Sequence, residues 1–224
     1  IFFILLAFVL SLIFGIVIIP QITSFCKKKN LYDLPNVRKV HSISIPRMGG
    51  TCFMPCMIVA ALFSVLVYRI TKSEQLTMSL WSFMFLVSII LVYTVGLIDD
   101  IVGVAPRVKF LVQILAASLM PFSGLYINNL YGFMGIETIP FYIGAPLTVF
   151  VIVFVDNALN LIDGIDGLAG GLSVLSLIGF LYCFQREGLF VYSVLIAGLI
   201  GVVVSFLYYN LYGGKKHKYK IFMG

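Results

Sequence analysis

Seven long apolar stretches dominate this chain, at residues 1–20, 48–68, 80–98, 110–126, 141–155, 168–184 and 189–209. A hydrocarbon layer about 30 Å thick is crossed by about 20 helical residues, each rising about 1.5 Å. Such stretches recur too often here for one soluble core to bury them. The 224 residues are 61% hydrophobic and 11% charged, with a mean hydropathy of +1.10. The bilayer is therefore the expected solvent. Alternating segments of about ten residues, which a membrane barrel requires, are missing from the sequence. The expected fold class is an all-α polytopic membrane protein, a helical bundle of about seven transmembrane helices in a single domain over residues 1–224. The fifth stretch is the shortest. The first has neither the basic flank nor the small-residue cleavage site of a signal peptide, so it is expected to remain as a membrane helix.

The net charge of +6 is spread unevenly. Lys27, Lys28, Lys29, Arg38, Lys39 and Arg47 lie between the first two stretches, Arg107 and Lys109 between the third and fourth. Lys215, Lys216, Lys218 and Lys220 follow the seventh. These are twelve basic residues on one side, against Arg69, Lys72 and Arg186 on the other. By the positive-inside rule the twelve face the cytoplasm and the N-terminus lies outside. Cytoplasmic loops are then expected at about 21–47, 99–109, 156–167 and 210–224. Orientation accounts for the basic excess, and no nucleic-acid partner is expected. Cys26, Cys52, Cys56 and Cys183 are too few for a disulfide framework. Cys52 and Cys56 share a helical face but have no further His or Cys nearby to complete a zinc site, so they are expected as buried thiols.

Five of the nine acidic residues gather at Asp99, Asp100, Asp156, Asp163 and Asp166, on the expected cytoplasmic edge. Carboxylates at a membrane edge are costly to keep and mark function. Asp99–Asp100 repel each other unless a cation or a proton relieves them. Gly103 and Pro106 turn the chain, and Lys109 returns a cation to the same edge. In D-N-A-L-N-L-I-D-G-I-D-G-L-A-G-G, residues 156–171, Asn157, Asn160, Asp163 and Asp166 recur every third position. One turn of helix brings such neighbours together. Their hard amide and carboxylate oxygens suit Mg²⁺ and not zinc or copper. Asp156 acquires no role from this pattern. The loop D-L-P-N-V-R-K-V-H-S-I-S-I-P-R-M-G-G, residues 33–50, offers Arg38, Lys39, His41 and Arg47 to phosphate oxygens. Both signs of charge on one face suit a metal–diphosphate substrate. A transporter of a phosphorylated lipid or nucleotide is the alternative reading, although charges at helix ends fit it less well than charges at midspan.

At these residues the chain resembles the polyprenyl-phosphate N-acetylhexosamine-1-phosphate transferases. These include the undecaprenyl-phosphate N-acetylglucosamine-1-phosphate transferases, with phospho-N-acetylmuramoyl-pentapeptide transferase as a more distant relative. Three motifs carry the resemblance: R-K-V-H-S-I-S-I-P-R-M-G-G (38–50), G-L-I-D-D (96–100) with Pro106 and Lys109, and N-A-L-N-L-I-D-G-I-D-G-L-A (157–169). The resemblance implies an enzyme of the bacterial inner membrane, working at the cytoplasmic face. It would transfer N-acetylhexosamine-1-phosphate from a UDP-sugar to polyprenyl phosphate and release UMP. Mg²⁺ is the implied cofactor, with Mn²⁺ as the substitute ion; the bilayer is the implied setting, and a homo-oligomer is compatible with it. Asn157, Asn160 and Asp163 would organise metal and diphosphate, and Asp166 would hold the site or the nucleotide. Asp99 or Asp100 would position or deprotonate the acceptor phosphate, with a covalent route through Asp99 left open. Lys39, His41, Arg47 and Lys109 would bind phosphate oxygens. The prenyl tail would lie in a groove between helices. K-I-F-M-G at 220–224 looks like the start of the family's M-G-D-S-G segment, so the resemblance implies a chain incomplete at its C-terminus, whose isolated activity is not expected.

Overall fold

The computed structural model describes residues 1–29, 31–33, 45–72, 79–213 and 219–223. Seven helices follow in order: α1 Phe2–Lys29, α2 Phe53–Lys72, α3 Leu80–Val102, α4 Pro106–Phe122, α5 Phe141–Ile162, α6 Leu168–Arg186 and α7 Phe190–Tyr212. The strand pairing among the described residues is one two-residue pair, β1 Tyr32–Asp33 with β2 Ile45–Pro46. Among the described residues, six helices are long and apolar enough to span a bilayer. The chain is an all-α, multi-pass membrane protein.

Helix boundaries depart from the apolar stretches in an instructive way. α1 continues to Lys29 and α5 to Ile162, because hydropathy falls where polar residues begin but helicity does not. Lys27, Lys28 and Lys29 sit in the last turn of α1, where cations complement the helix dipole. Residues 21–29 and 156–162 of the expected loops are therefore helix. α4 is only 17 residues and begins earlier than the apolar run at 110–126. Pro106 presets the first helical residue, and the helix stops at Ser123, before Gly124 at φ 92°.

The chain forms two compact units, Ile1–Leu76 with Ile162–Gly224, and Thr77–Leu161. In the first, α7 packs against α1, α2 and α6. The buried residues of α1 (Ile4, Ala7, Ser11, Gly15, Ile19, Thr23 and Cys26) recur every three or four positions and form one face. Much of that stripe is small, which lets helix backbones approach where lipid supplies no hydrophobic drive for association. Thr23 donates to the Ile19 carbonyl and Ser64 to that of Ala60, both at 2.8 Å, whereas the buried Ser11 hydroxyl has no hydrogen-bond partner among the described residues. The Tyr209 hydroxyl crosses from α7 to the Ile16 carbonyl of α1 at 2.9 Å. The core here joins Ile19, Cys52, Cys56, Val202, Phe206 and Ile221. Cys26, Cys52 and Cys56 are buried free thiols and Cys183 is an exposed one.

In the second unit α3 packs on α4 after the short link 103–105. The connection from α4 to α5 folds back on itself, with Leu130 and Ile139 donating to the Glu137 and Asn128 carbonyls at 2.8 Å each. Thr148 of α5 fastens it by accepting from the Ile127 N–H at 2.8 Å. Between α4 and α5 lies an apolar slot of about 790 Å³. It runs from Phe110 and Ile114 to Phe122 on one wall, and from Asn157 and Phe154 to Phe141 on the other.

Candidate functional site

In the second unit, α3 ends on Asp99–Asp100, both half-buried. Asp99 Oδ1 accepts the Val104 N–H at 2.9 Å, and its carbonyl accepts the Gly103 N–H at 2.9 Å. Its other oxygen, Oδ2, accepts from Lys109 Nζ at 2.5 Å. A carboxylate that caps the turn after its own helix and holds the first lysine of the next fixes the link between α3 and α4. Asp99 and Lys109, which the sequence places at the same edge, are one ion pair.

Four residues beyond Lys109, on the same face of α4, stands Gln113. Its Nε2 donates to Asp156 Oδ2 at 2.9 Å, and its Oε1 accepts from Asn157 Nδ2 at 3.0 Å. Asn157 Nδ2 also donates to the Val153 carbonyl at 2.8 Å. Asn157 lines the slot, so the apolar cavity ends on a polar group. Asn160 follows on α5 and is exposed.

In the first unit, residues 163–167 turn the chain into α6, and Gly167 takes the left-handed conformation (φ 75°) that a side chain would strain. Asn210, buried in α7, accepts the Gly167 N–H at 2.7 Å and donates to the Ile221 carbonyl at 3.1 Å. Lys220 Nζ meets Asp166 Oδ2 at 2.6 Å. Residues 222 and 223 are held in turn: Phe222 N–H donates to the Pro46 carbonyl at 2.9 Å. The N–H groups of Gly49 and Gly50 donate to the Phe222 and Met223 carbonyls at 2.7 and 2.6 Å. A Cβ at Gly49 would come within 2.5 Å of the Phe222 carbonyl, so only glycine permits that approach. Arg47 is half-buried, and its Nε is buried with no hydrogen-bond partner among the described residues. A buried guanidinium N–H without a partner is costly, and an anion is the partner it fits best. Asp163 is half-buried in the turn.

Of the residues singled out in the sequence, Asp99 and Lys109 are brought together, and Asp166 is brought to Lys220. Lys39 and His41 lie outside the described residues. Three polar residues of this framework escape the motif reading: Gln113, Asn210 and Lys220. A glutamine or asparagine within an otherwise apolar helix is the signal that could have found the first two. Lys220 entered the sequence reading through orientation and the K-I-F-M-G segment, without a role in the site.

The donors available to a cation are hard oxygens, with no sulfur or imidazole among the described candidates. No cluster of three His, Cys, Asp or Glu side chains occurs among the described residues. Hard oxygens suit Mg²⁺, which is held by one or two carboxylates with water and substrate phosphate as its other ligands. Asn157 and Asn160 of the second unit and Asp163 of the first each carry an oxygen of that type.

A family model described as glycosyl transferase family 4 matches residues 81–224. A probable undecaprenyl-phosphate N-acetylglucosaminyl 1-phosphate transferase of Bacillus subtilis is 34% identical over 99% of this chain and 58% of its own length. A phospho-N-acetylmuramoyl-pentapeptide-transferase of Streptococcus agalactiae is 30% identical over 98% of this chain and 67% of its own length. An undecaprenyl-phosphate alpha-N-acetylglucosaminyl 1-phosphate transferase of Yersinia pestis is 30% identical over 88% of this chain and 51% of its own length. The chain thus spans about half to two thirds of the length of these relatives.

Proposed function

We propose a reaction from one premise: the chain belongs to glycosyl transferase family 4. The protein transfers N-acetylhexosamine-1-phosphate, with N-acetylglucosamine the favoured sugar, from a UDP-sugar to undecaprenyl phosphate. An oxygen of the acceptor phosphate attacks the sugar-bearing phosphorus of the donor. The bond from that phosphorus to the bridging oxygen breaks, and UMP leaves. The observation that carries this reading is the slot of about 790 Å³ between α4 and α5, apolar along its length and ended by Asn157. An amphiphile with one polar phosphate head and a long apolar tail matches that shape, and Gln113 puts the polar end one helical turn from Lys109.

A phosphate monoester carries about −1.5 to −2 charges near pH 7 and is already a competent nucleophile. The barrier lies in bringing two anions together, so binding and orientation are the protein's main task. Arg47 and Lys109, with Lys39 and His41, hold phosphate oxygens. Asn157, Asn160 and Asp163 would hold Mg²⁺ and orient the diphosphate, while Asp166, fixed by Lys220, frames the turn that carries Asp163. Asp100 positions the acceptor phosphate beside the Asp99–Lys109 pair. When bound, Mg²⁺ supplies offsetting charge for the diphosphate and the leaving UMP. The site faces the cytoplasm of the bacterial inner membrane, where nucleotide sugars are made, and the N-terminus lies outside.

The test is UMP release from UDP-N-acetylglucosamine and undecaprenyl phosphate by the complete gene product in detergent or nanodiscs. Asp163→Asn is expected to lower turnover at least about a hundredfold with an unchanged melting temperature. Turnover within threefold of the parent would remove Asp163 from the centre of the site.

A further inference from the structure

Asp156 is the acidic residue of this region that the reaction above does not use. It is half-buried on α5, immediately before Asn157 and on a different face of the helix. Its contact is Gln113 Nε2, at 2.9 Å. The chemistry of the chain Asp156–Gln113–Asn157 is directional. A carboxylate accepts and does not donate, whereas each amide can present either oxygen or NH₂. Asp156 therefore obliges Gln113 to turn its NH₂ toward α5's carboxylate. Gln113 is left facing Asn157 with an oxygen, and Asn157 must answer with its own NH₂ at 3.0 Å. That NH₂ is shared with the Val153 carbonyl at 2.8 Å. Both amide protons of Asn157 are then occupied, which leaves its Oδ1 as the acceptor.

We propose that Asp156 is a positioning residue, which through Gln113 fixes the amide of Asn157 with its oxygen presented as a ligand for a divalent cation. The inference rests on the reading of Asn157 and Asp163 as cation ligands. Asp156 itself does not touch the ion. Neither local motif spacing nor hydropathy identifies it, since it acts across 43 residues of sequence through a side chain of another helix.

The experiment is a Mn²⁺ titration of the nanodisc-embedded protein, with free Mn²⁺ read by electron paramagnetic resonance, on the parent and on Asp156→Asn, Asp156→Glu, Gln113→Leu and the Asp156→Asn/Gln113→Leu pair. Groups that orient a metal ligand typically change affinity about 10- to 100-fold when removed. Asp156→Asn and Gln113→Leu are each expected to weaken Mn²⁺ binding about tenfold, and the pair no more than either alone, because both interrupt one chain of bonds. Asp156→Glu, which keeps an acceptor-only group, is expected to retain most of the affinity. Melting followed by Trp81, the single tryptophan, reports whether each variant remains folded. Unaltered affinity in Asp156→Asn overturns the proposal, and so does an additive loss in the pair, which would place Asp156 on the ion directly. Asp163→Asn is titrated in parallel. If it binds Mn²⁺ as the parent does, or if the parent binds none, the cation reading itself falls; if it alone loses affinity, only the role of Asp156 falls.

Discussion

Asn210 shows how one buried amide can set the geometry of a turn two elements away. Its oxygen holds the N–H of Gly167 and its NH₂ holds the carbonyl of Ile221, so both ends of one side chain are used. Replacing it with Leu leaves two backbone groups unpaired in a low-dielectric interior, at about 1–3 kcal/mol each. Asn210→Leu is expected to lower the melting temperature by several degrees and to weaken Mn²⁺ binding through the displaced 163–167 turn, measured by thermal unfolding and titration. Lys220 makes a second prediction. Its pair with Asp166 is partly exposed, at 24% and 26%, so its contribution to stability is under about 1 kcal/mol. Lys220→Met is expected to leave melting nearly unchanged while lowering UMP release in the complete protein, since its effect is on where Asp166 points.

At the scale of elements, the turn between α3 and α4 is decided by Asp99. Its oxygens divide the work, Oδ1 on the Val104 N–H and Oδ2 on Lys109. Asp99→Asn retains an oxygen for Val104 and loses the ion pair; Asp99→Leu loses both. The first is expected to cost less than about 1 kcal/mol and the second about 1–3 kcal/mol, measured as the difference in unfolding free energy. Equal losses would mean that the turn does not depend on the backbone bond. α4 and α5 differ from their apolar stretches for related reasons. Proline set the start of α4, and polar residues extended α5 without interrupting its helix.

For the whole molecule, the apolar stretches sufficed to identify a multi-pass helical membrane protein, since six helices meet the length and apolarity that a span requires. Orientation is a separate prediction. Of the four cysteines only Cys183 is exposed, so a Cys183→Ser background removes the reactive thiol. In that background Val104→Cys is expected to react with an impermeant maleimide only from the cytoplasmic side, and Glu187→Cys only from outside. The reverse pattern would invert the topology and move the proposed site away from its nucleotide sugar.

The sequence by itself determined the solvent, the class of fold and the location of the acidic motifs. These follow from local quantities: run length, hydropathy, and the cost of placing carboxylates at a membrane edge. It could also point to hard oxygen ligands, because ligand chemistry is a property of residue type. What only the tertiary structure decided is which polar groups answer one another. Asp99 with Lys109 was close at hand, ten residues apart. Asp166 with Lys220, at 54 residues, and Asp156 with Gln113, at 43, were not. Hydrogen bonds select partners by distance and angle in space, and nothing in the local pattern of α5 indicates that Asp156 faces a glutamine of α4.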